Sequence, residues 1–250
     1  AANGSSALTV SRGAVSVPLD ENALGGGAVA GLLRFQNSDL AAARDGLGRL
    51  AIALTTLVNA QHEVGVDLDG NGGQSFFKPI TIPAALPAST NTGNASIGAS
   101  VADAGALSAS SYQIAFGTGG AIQVTRLSDG KQSNFAGPLP IVVDGLNITL
   151  QSGASAPGDS FVLNPYASAA AGVSTAVSSP REIAAASPVE ARVGTTNAGT
   201  LSVAGLAASR ADANLGANVT LTFTSGVTFD VSGSGTGNPT GVVYTAGSTI

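Results

Sequence analysis

The sequence predicts an α+β multidomain protein, in which an α-helical domain with a long helix and a small β-hairpin is followed by β-sandwich-like domains. Three patterns predict it. Leucines recur at heptad spacing over residues 38–62, short β-type runs with glycine turns follow residue 77, and part of that β pattern occurs again after residue 218.

A β-hairpin and a short helix are expected near the start of the helical domain, which we expect to cover residues 1–75. Alternating runs on both sides of Arg12-Gly13 favour a hairpin with a two-residue turn. Apolar residues at i, i+3 and i+4 predict a short helix at Val29, Leu32 and Leu33.

A long helix follows and gives the strongest pattern in the sequence. Ser38, followed by an acidic residue where the helix dipole favours a carboxylate, is typical of an N-cap. The apolar period continues to His62, and we expect the helix to end near Gly65. The leucines predicted to form its packing and assembly face are Leu40, Leu47, Leu50, Leu54 and Leu57. The rest of the sequence supplies no partner helix of similar length, so we expect the partner helices outside this chain or in another subunit.

Short β-type runs predict a first β-domain over residues 76–175. Strands are expected at residues 112–116, 121–126, 141–143, 146–150 and 160–163. Glycine-rich turns join them, and Asp144-Gly145 is typical of a type I′ hairpin turn.

The remaining chain is expected to repeat part of this domain. Residues 219–231 align without a gap with residues 112–124, which predicts a related but incomplete β-module over residues 194–250. Residues 176–193 are expected to form a linker, in which Pro180 can begin a short helix.

Composition excludes several kinds of chemistry. Only 10% of the residues are charged, about half are Ala, Gly, Ser or Thr, Cys is absent, and there is a single His. We therefore expect no enzyme activity, no cofactor and no metal site. A net charge of −5 with ten scattered basic residues argues against nucleic acid, and no apolar run approaches the roughly 20 residues of a membrane span.

Two local motifs admit a chemical interpretation. Residues 67–72 match the first half of an EF-hand loop, but the twelfth position, a Glu in that motif, is Lys78. An Asx–Gly turn is therefore favoured over a calcium site. His62, in the last turn of the long helix, is interpreted as a capping or surface residue rather than a catalytic one.

The chain begins without Met and without the pattern of a cleaved signal, and we expect it to be the middle of a longer protein. Residues 25–77 contain, in order, the runs GGGAVAGLLRF, LGRLAIAL, NAQHEVGVDLDG and FF. This segment closely resembles the helical domain of the family of flagellar hook-associated protein 1. Three later runs are similar to the β-domain that follows in that family: TRLSDG at 125–130, VDGLNITL at 143–150 and PGDSF at 157–161.

The resemblance implies a structural role in a ring at the junction between flagellar hook and filament, without catalytic site or cofactor. It implies self-association, contacts with the hook protein and a second junction protein, and an export chaperone for the full-length protein. It also implies secretion through the flagellar type III apparatus to the extracellular flagellum. The alternative is a secreted bacterial adhesin or a glycan-binding β-module protein, which tandem β-modules also suit. A glycoside-acting enzyme would need two convergent carboxylates about 5 to 10 Å apart.

Overall fold

The computed structural model describes residues 8–12, 15–19, 25–203, 205–212, 214–233 and 237–245. Its helices and antiparallel sheets confirm the predicted α+β class. Contacts divide the chain into two compact units, one of Ala1–Leu57 with Phe77–Thr175 and one of Val58–Phe76 with Ala176–Ile250. The domain boundaries expected from the sequence stay a prediction.

An antiparallel hairpin opens the first unit. Its strands are β1 (Leu8–Arg12) and β2 (Val15–Leu19), which confirms the predicted hairpin. Arg12 belongs to the strand, because it pairs with Val15. The expected turn position is therefore wrong at Arg12, and residues 13 and 14 lie outside the described residues.

One helix runs without interruption from Ala28 to Glu63. It comprises α1 (Ala28–Arg34), a π-helical turn (Phe35–Asp39) and α2 (Leu40–Glu63). The predicted N-cap at Ser38 is wrong, because Ser38 lies inside the π-helical turn and the helix begins after Gly27. Gly27 has a φ of 92°, which glycine adopts readily. The predicted end near Gly65 is confirmed.

Two antiparallel sheets form a β-sandwich in the rest of the first unit. Its strands are β3 (Leu86–Pro87), β4 (Ser96–Val101), β5 (Tyr112–Phe116), β6 (Ile122–Arg126), β7 (Gln132–Phe135), β8 (Ile141–Val143), β9 (Leu146–Ser152) and β10 (Ser160–Leu163). One sheet has the order β3-β10-β5-β6-β7 and the other β4-β9-β8. Side chains from both sheets meet in one core, where Ile97, Ile114, Leu146 and Leu163 are fully buried.

The five strands expected in this domain are all present. Asp144 and Gly145 have φ values of 46° and 77°, as the two central residues of a type I′ turn require. Strands β3, β4 and β7 were not predicted, because none of them shows a clean alternation of apolar and polar residues.

The second unit contains the last residues of α2 and a three-stranded antiparallel sheet. Its strands are β11 (Val219–Phe223), β12 (Thr228–Gly233) and β13 (Val242–Val243), in the order β11-β12-β13. The helix predicted at Pro180 is a single 3-10 turn, Pro180–Glu182, which the Ser179 side chain caps by accepting from Arg181 N–H.

Candidate functional site

One side of α2 presents exposed leucines. Leu47, Leu50, Leu54 and Leu57 are between 49% and 61% exposed, and we call these four residues the leucine face. Because successive residues lie about 100° apart around an α-helix, the four share one side of it. Leu40, the fifth residue of the predicted assembly face, is half-buried at the start of α2.

The exposed apolar surface continues toward the N-terminal end of the same helix. Val29, Leu32 and Phe35 are each more than half exposed. From Ala28 to Glu63 the helix is roughly 54 Å long at about 1.5 Å per residue. Within the described part of the chain, no helix is long and apolar enough to cross a membrane.

A different side of α2 is sealed onto the β-sandwich. Ile52 is 2% exposed and belongs to the core that the two sheets share. Gly48 lies directly against Tyr166: a Cβ atom added there would contact the Tyr166 carbonyl oxygen and approach the Tyr166 Cβ to 2.7 Å. Thr55 is buried on this side, and its hydroxyl donates to the carbonyl oxygen of Ala51 at 2.9 Å. The helix therefore has one face that the sandwich covers and another, the leucine face, that is exposed.

Sequence reasoning missed the sealed face because most of its residues are small or polar. Heptad counting selects the side with the most leucines, and the buried side carries Gly48, Ala51, Ile52 and Thr55. A glycine inside a helix costs about 1 kcal/mol relative to alanine. Gly48 was therefore the signal that another part of the chain approaches closely.

Polar groups flank the sealed face. Arg49 donates to the carbonyl oxygen of Leu107 at 3.5 Å. Burial raises the pKa of Asp45, while hydrogen bonds from Ser111 oppose that shift. Burial also raises the pKa of Tyr166, whose buried hydroxyl has no hydrogen-bond partner among the described residues. Polar groups thus lie at the border of the contact.

The sandwich contains a compact ionic cluster around Arg126. Arg126 donates to Asp144 at 3.0 Å and to Asp129 at 2.6 Å, and the hydroxyl of Tyr112 donates to Asp144 at 3.1 Å. The hydrogen bond from Arg126 lowers the pKa of Asp129 to about 2. A lowered pKa at Asp129 is the opposite of what a general acid needs.

The EF-hand-like segment forms the turn that the sequence favoured. The Asp67 carboxylate accepts the backbone N–H groups of Asp69 and Asn71, both at 2.8 Å. These bonds, that of Asn71 first, lower the pKa of Asp67. Asp69 forms an ion pair with Arg181. Among the residues that the structure covers, no group of three or more His, Cys, Asp or Glu side chains could hold a metal ion.

His62 is buried, so its interpretation as a surface residue is wrong. It is 7% exposed, and its Nε2 accepts the backbone N–H of Ala184 at 2.9 Å. Because Nε2 accepts, Nδ1 carries the proton and donates to the carbonyl oxygen of Gln74. The ring also packs edge-on against Phe76, with 5.5 Å between the ring centroids. His62 therefore joins the helix end to two later segments, which no local sequence signal indicates.

The described part of the chain thus combines a long helix, fixed to a β-sandwich by one face, with a leucine face that is exposed. Family models place this architecture among the hook-associated proteins of the bacterial flagellum. The flagellar hook-associated protein FlgK helical domain matches residues 1–77, and the flagellar hook-associated protein 1, D2-like domain matches residues 86–165. The chain belongs to this FlgK family.

Individual relatives agree with the family models. The chain is 35% identical over 178 residues to flagellar hook-associated protein 1 of Escherichia coli (strain K12), and 37% identical over 183 residues to that of Salmonella typhimurium. These alignments cover 70% and 71% of this chain and 32% of each relative, so the chain spans about a third of their length. The solved flagellar hook junction protein FlgK from Burkholderia pseudomallei superposes with a TM-score of 0.67 at 27% identity. That match covers 96% of this chain and 45% of the solved one.

Proposed function

We propose that this chain belongs to a hook–filament junction protein and carries β-domains on a helix that assembles into a ring between the hook and filament-side proteins. The observation that carries the proposal is the leucine face, which stays exposed while the neighbouring side of α2 is sealed. The names of the relatives support it: one is a flagellar hook junction protein, and others are flagellar hook-associated proteins.

The leucine face supplies a physical basis for assembly. Fully burying one leucine contributes about 1.5–3 kcal/mol, and these side chains are already about half covered, so each would contribute roughly 1 kcal/mol on docking. Four in a row, extended by the apolar residues of α1, suit a long apolar helix as partner. Such helices would come from the full-length protein, from neighbouring copies, or from the hook protein and the second junction protein.

The function proposed is structural and not enzymatic. The relatives are flagellar structural proteins, and Arg126 forms ion pairs with both Asp129 and Asp144 in the sandwich. We place the full-length protein outside the cell, secreted by the flagellar export apparatus with the aid of an export chaperone. The adhesin alternative is not retained, because the family matches are to flagellar proteins.

Deletion and complementation in the source bacterium test this function. We expect the deletion strain to lose swimming, and the wild-type gene to restore it. A gene with Leu47→Asp, which puts a charge on the leucine face, is expected to restore less than half of the wild-type swimming-zone diameter. Leu47 is 61% exposed, so we expect the stability of the folded chain to change by no more than about 0.5 kcal/mol.

Two controls accompany this variant. The first is Ala42→Asp, at an exposed position of α2 away from the leucine face. The second is Val142→Asp, at an exposed position of β8. Both should restore swimming fully. A motile deletion strain with normal filaments would refute the junction function, and equal motility of all three variants would refute the role of the leucine face.

A further inference from the structure

The sheet of the second unit repeats three strands of the sandwich with one constant offset. Val219 lies 107 positions after Tyr112, and the same offset relates β11, β12 and β13 to β5, β6 and β7. The pairing between strands shows the same offset. The pair Phe116–Ile122 corresponds to Phe223–Phe229. The pair Ile122–Phe135 corresponds to Phe229–Val242. The bond from Gly117 N–H to Ala121 O likewise recurs from Thr224 N–H to Thr228 O. The repeat thus includes a third strand that sequence alignment did not reach.

The repeat leaves one edge of the second sheet open. In the sandwich β5 also pairs with β10, and the N–H of Phe116 donates to the carbonyl oxygen of Asp159 at 2.9 Å. Among the described residues β11 pairs with β12 alone. The N–H of Thr224 points toward β12, so by alternation those of Val219, Leu221 and Phe223 point to the open edge. A row of such groups is a template for another strand.

One face of the same strand is also partly exposed, although the ring of Tyr244 packs edge-on against Phe223. In the sandwich Ile114 is 0% exposed, because the second sheet with β9 at its centre covers it. Its counterpart Leu221 is 42% exposed, and Phe223 is 39% exposed. Phe229 is buried on this sheet at 2% exposure, partly by Phe223 itself. The open edge and the open face are the positions that β10 and β9 occupy in the sandwich.

We propose that this edge and face receive two strands equivalent to β10 and β9, supplied in the same molecule by polypeptide that follows residue 250. In the sandwich these two strands belong to different sheets, β10 beside β5 and β9 in the sheet that faces it. The offset of 107 places their counterparts beyond residue 250. The relatives are about three times as long as the matched segment, which is length enough for two further strands. The strand at the open edge needs inward apolar residues at every second position, as Phe161 and Leu163 are in β10.

Site-resolved amide hydrogen exchange on the full-length monomeric protein tests this proposal. The amides of Thr220 and Thr222 point toward β12 and serve as the internal control, protected in either case. We expect the amides of Val219, Leu221 and Phe223 to be protected to a similar degree, within about tenfold. Exchange of these three at the rate of free chain would overturn the proposal. Protection that appears only as protein concentration rises would also overturn it, because it would assign the edge to a second copy.

A pair of variants provides a second measurement. Leu221→Asp places a charge on the open face, whereas Thr222→Asp lies on the opposite face of the same strand. We expect Leu221→Asp to speed exchange at Val219 and Phe223 at least a hundredfold, and Thr222→Asp to change it less than tenfold. Equal effects of the two variants would contradict coverage of that face. The outcome does not depend on the junction function, because exchange reports strand pairing and not flagellar assembly.

Discussion

Gly48 and Tyr166 determine how closely α2 approaches the sandwich. The absence of a side chain at Gly48 lets the Tyr166 backbone lie against the helix. Gly46, one half-turn earlier, has no atom within 4 Å of the position that a Cβ would take. The same substitution to alanine can therefore be compared at a crowded position, Gly48, and at an open one, Gly46.

Gly48→Ala should destabilise the protein by up to about 2 kcal/mol, because overpacking costs about 1–3 kcal/mol and the gain in helix propensity offsets about 1. Gly46→Ala should stabilise it by up to about 1 kcal/mol. Urea unfolding of both variants measures the difference. Equal effects would mean that the contact with Tyr166 is not close in solution.

Asp159 accepts three backbone N–H groups, from two segments of the chain, at a buried position. It is 1% exposed, and its carboxylate accepts N–H groups from Ala156 and Thr92 at 2.8 Å and from Gly93. The bond from Ala156, followed by those from Thr92 and Gly93, lowers the pKa of Asp159. The unfolded chain therefore binds a proton at a higher pH than the folded one.

The stabilisation by Asp159 should be complete above the ordinary carboxyl pKa near 3.9 and be lost as pH falls through the lowered folded value. Asp159→Asn should lower the melting temperature at pH 7 and flatten its decline as pH falls below about 4. Asp39→Asn, on the exposed π-helical turn, is the control and should change neither. An unchanged acid slope in Asp159→Asn would contradict the role of its hydrogen bonds.

At the level of elements, turn residues were a better guide to strand position than the alternation of apolar and polar residues within the strands. Asp144-Gly145 located the β8–β9 hairpin, because few residues tolerate two successive positive φ angles. In contrast, β4 has the sequence SIGASV, whose small residues give no period, and its pairing with β9 is set by residues about 50 positions later. Contacts at that distance along the chain leave no local signal.

The β8–β9 turn is tight enough to be tested by one methyl group. Gly145 has a φ of 77°, and an added Cβ would contact the backbone of Asp103 and Ala106. Gly130 has a φ of 72° with nothing within 4 Å. Gly130→Ala should cost about 1–2 kcal/mol from backbone strain alone. Gly145→Ala should cost about 1–3 kcal/mol more, measured by thermal unfolding, and equal losses would contradict the close approach.

At the level of the whole molecule, the sequence predicted the class and the family, while the division into units depends on distant contacts. His62, Gly65 and Gly73 lie next to Ala184, more than 100 residues later, and these contacts place Val58–Phe76 with the C-terminal part of the chain. The periodicity of the helix gave no indication that residues near 184 would contact the end of the helix. The boundary expected at residue 75 was predicted from a change in composition. Composition gives no information about which segments are in contact.

Limited proteolysis can test the linker expected at residues 176–193. The side chains of Arg192 and Arg210 are 81% and 82% exposed, and neither residue lies in a helix or strand. Arg126 lies in β6 with its side chain 18% exposed. Trypsin should therefore cut after Arg192 and Arg210 at least tenfold faster than after Arg126, as mass spectrometry of the fragments would measure. A first cut after Arg126 would show that the sandwich opens before the linker.

The leucine face also bears on the conditions in which an assembly built on it would hold. Burial of apolar surface near 25 °C is driven by entropy and weakens on cooling, whereas attraction between charges weakens when salt is added. Only 10% of the residues are charged, and the four exposed leucines carry no charge at all. An attachment through these side chains would tolerate changes in salinity and gain strength in sulfate. Cold is the condition under which it would loosen first.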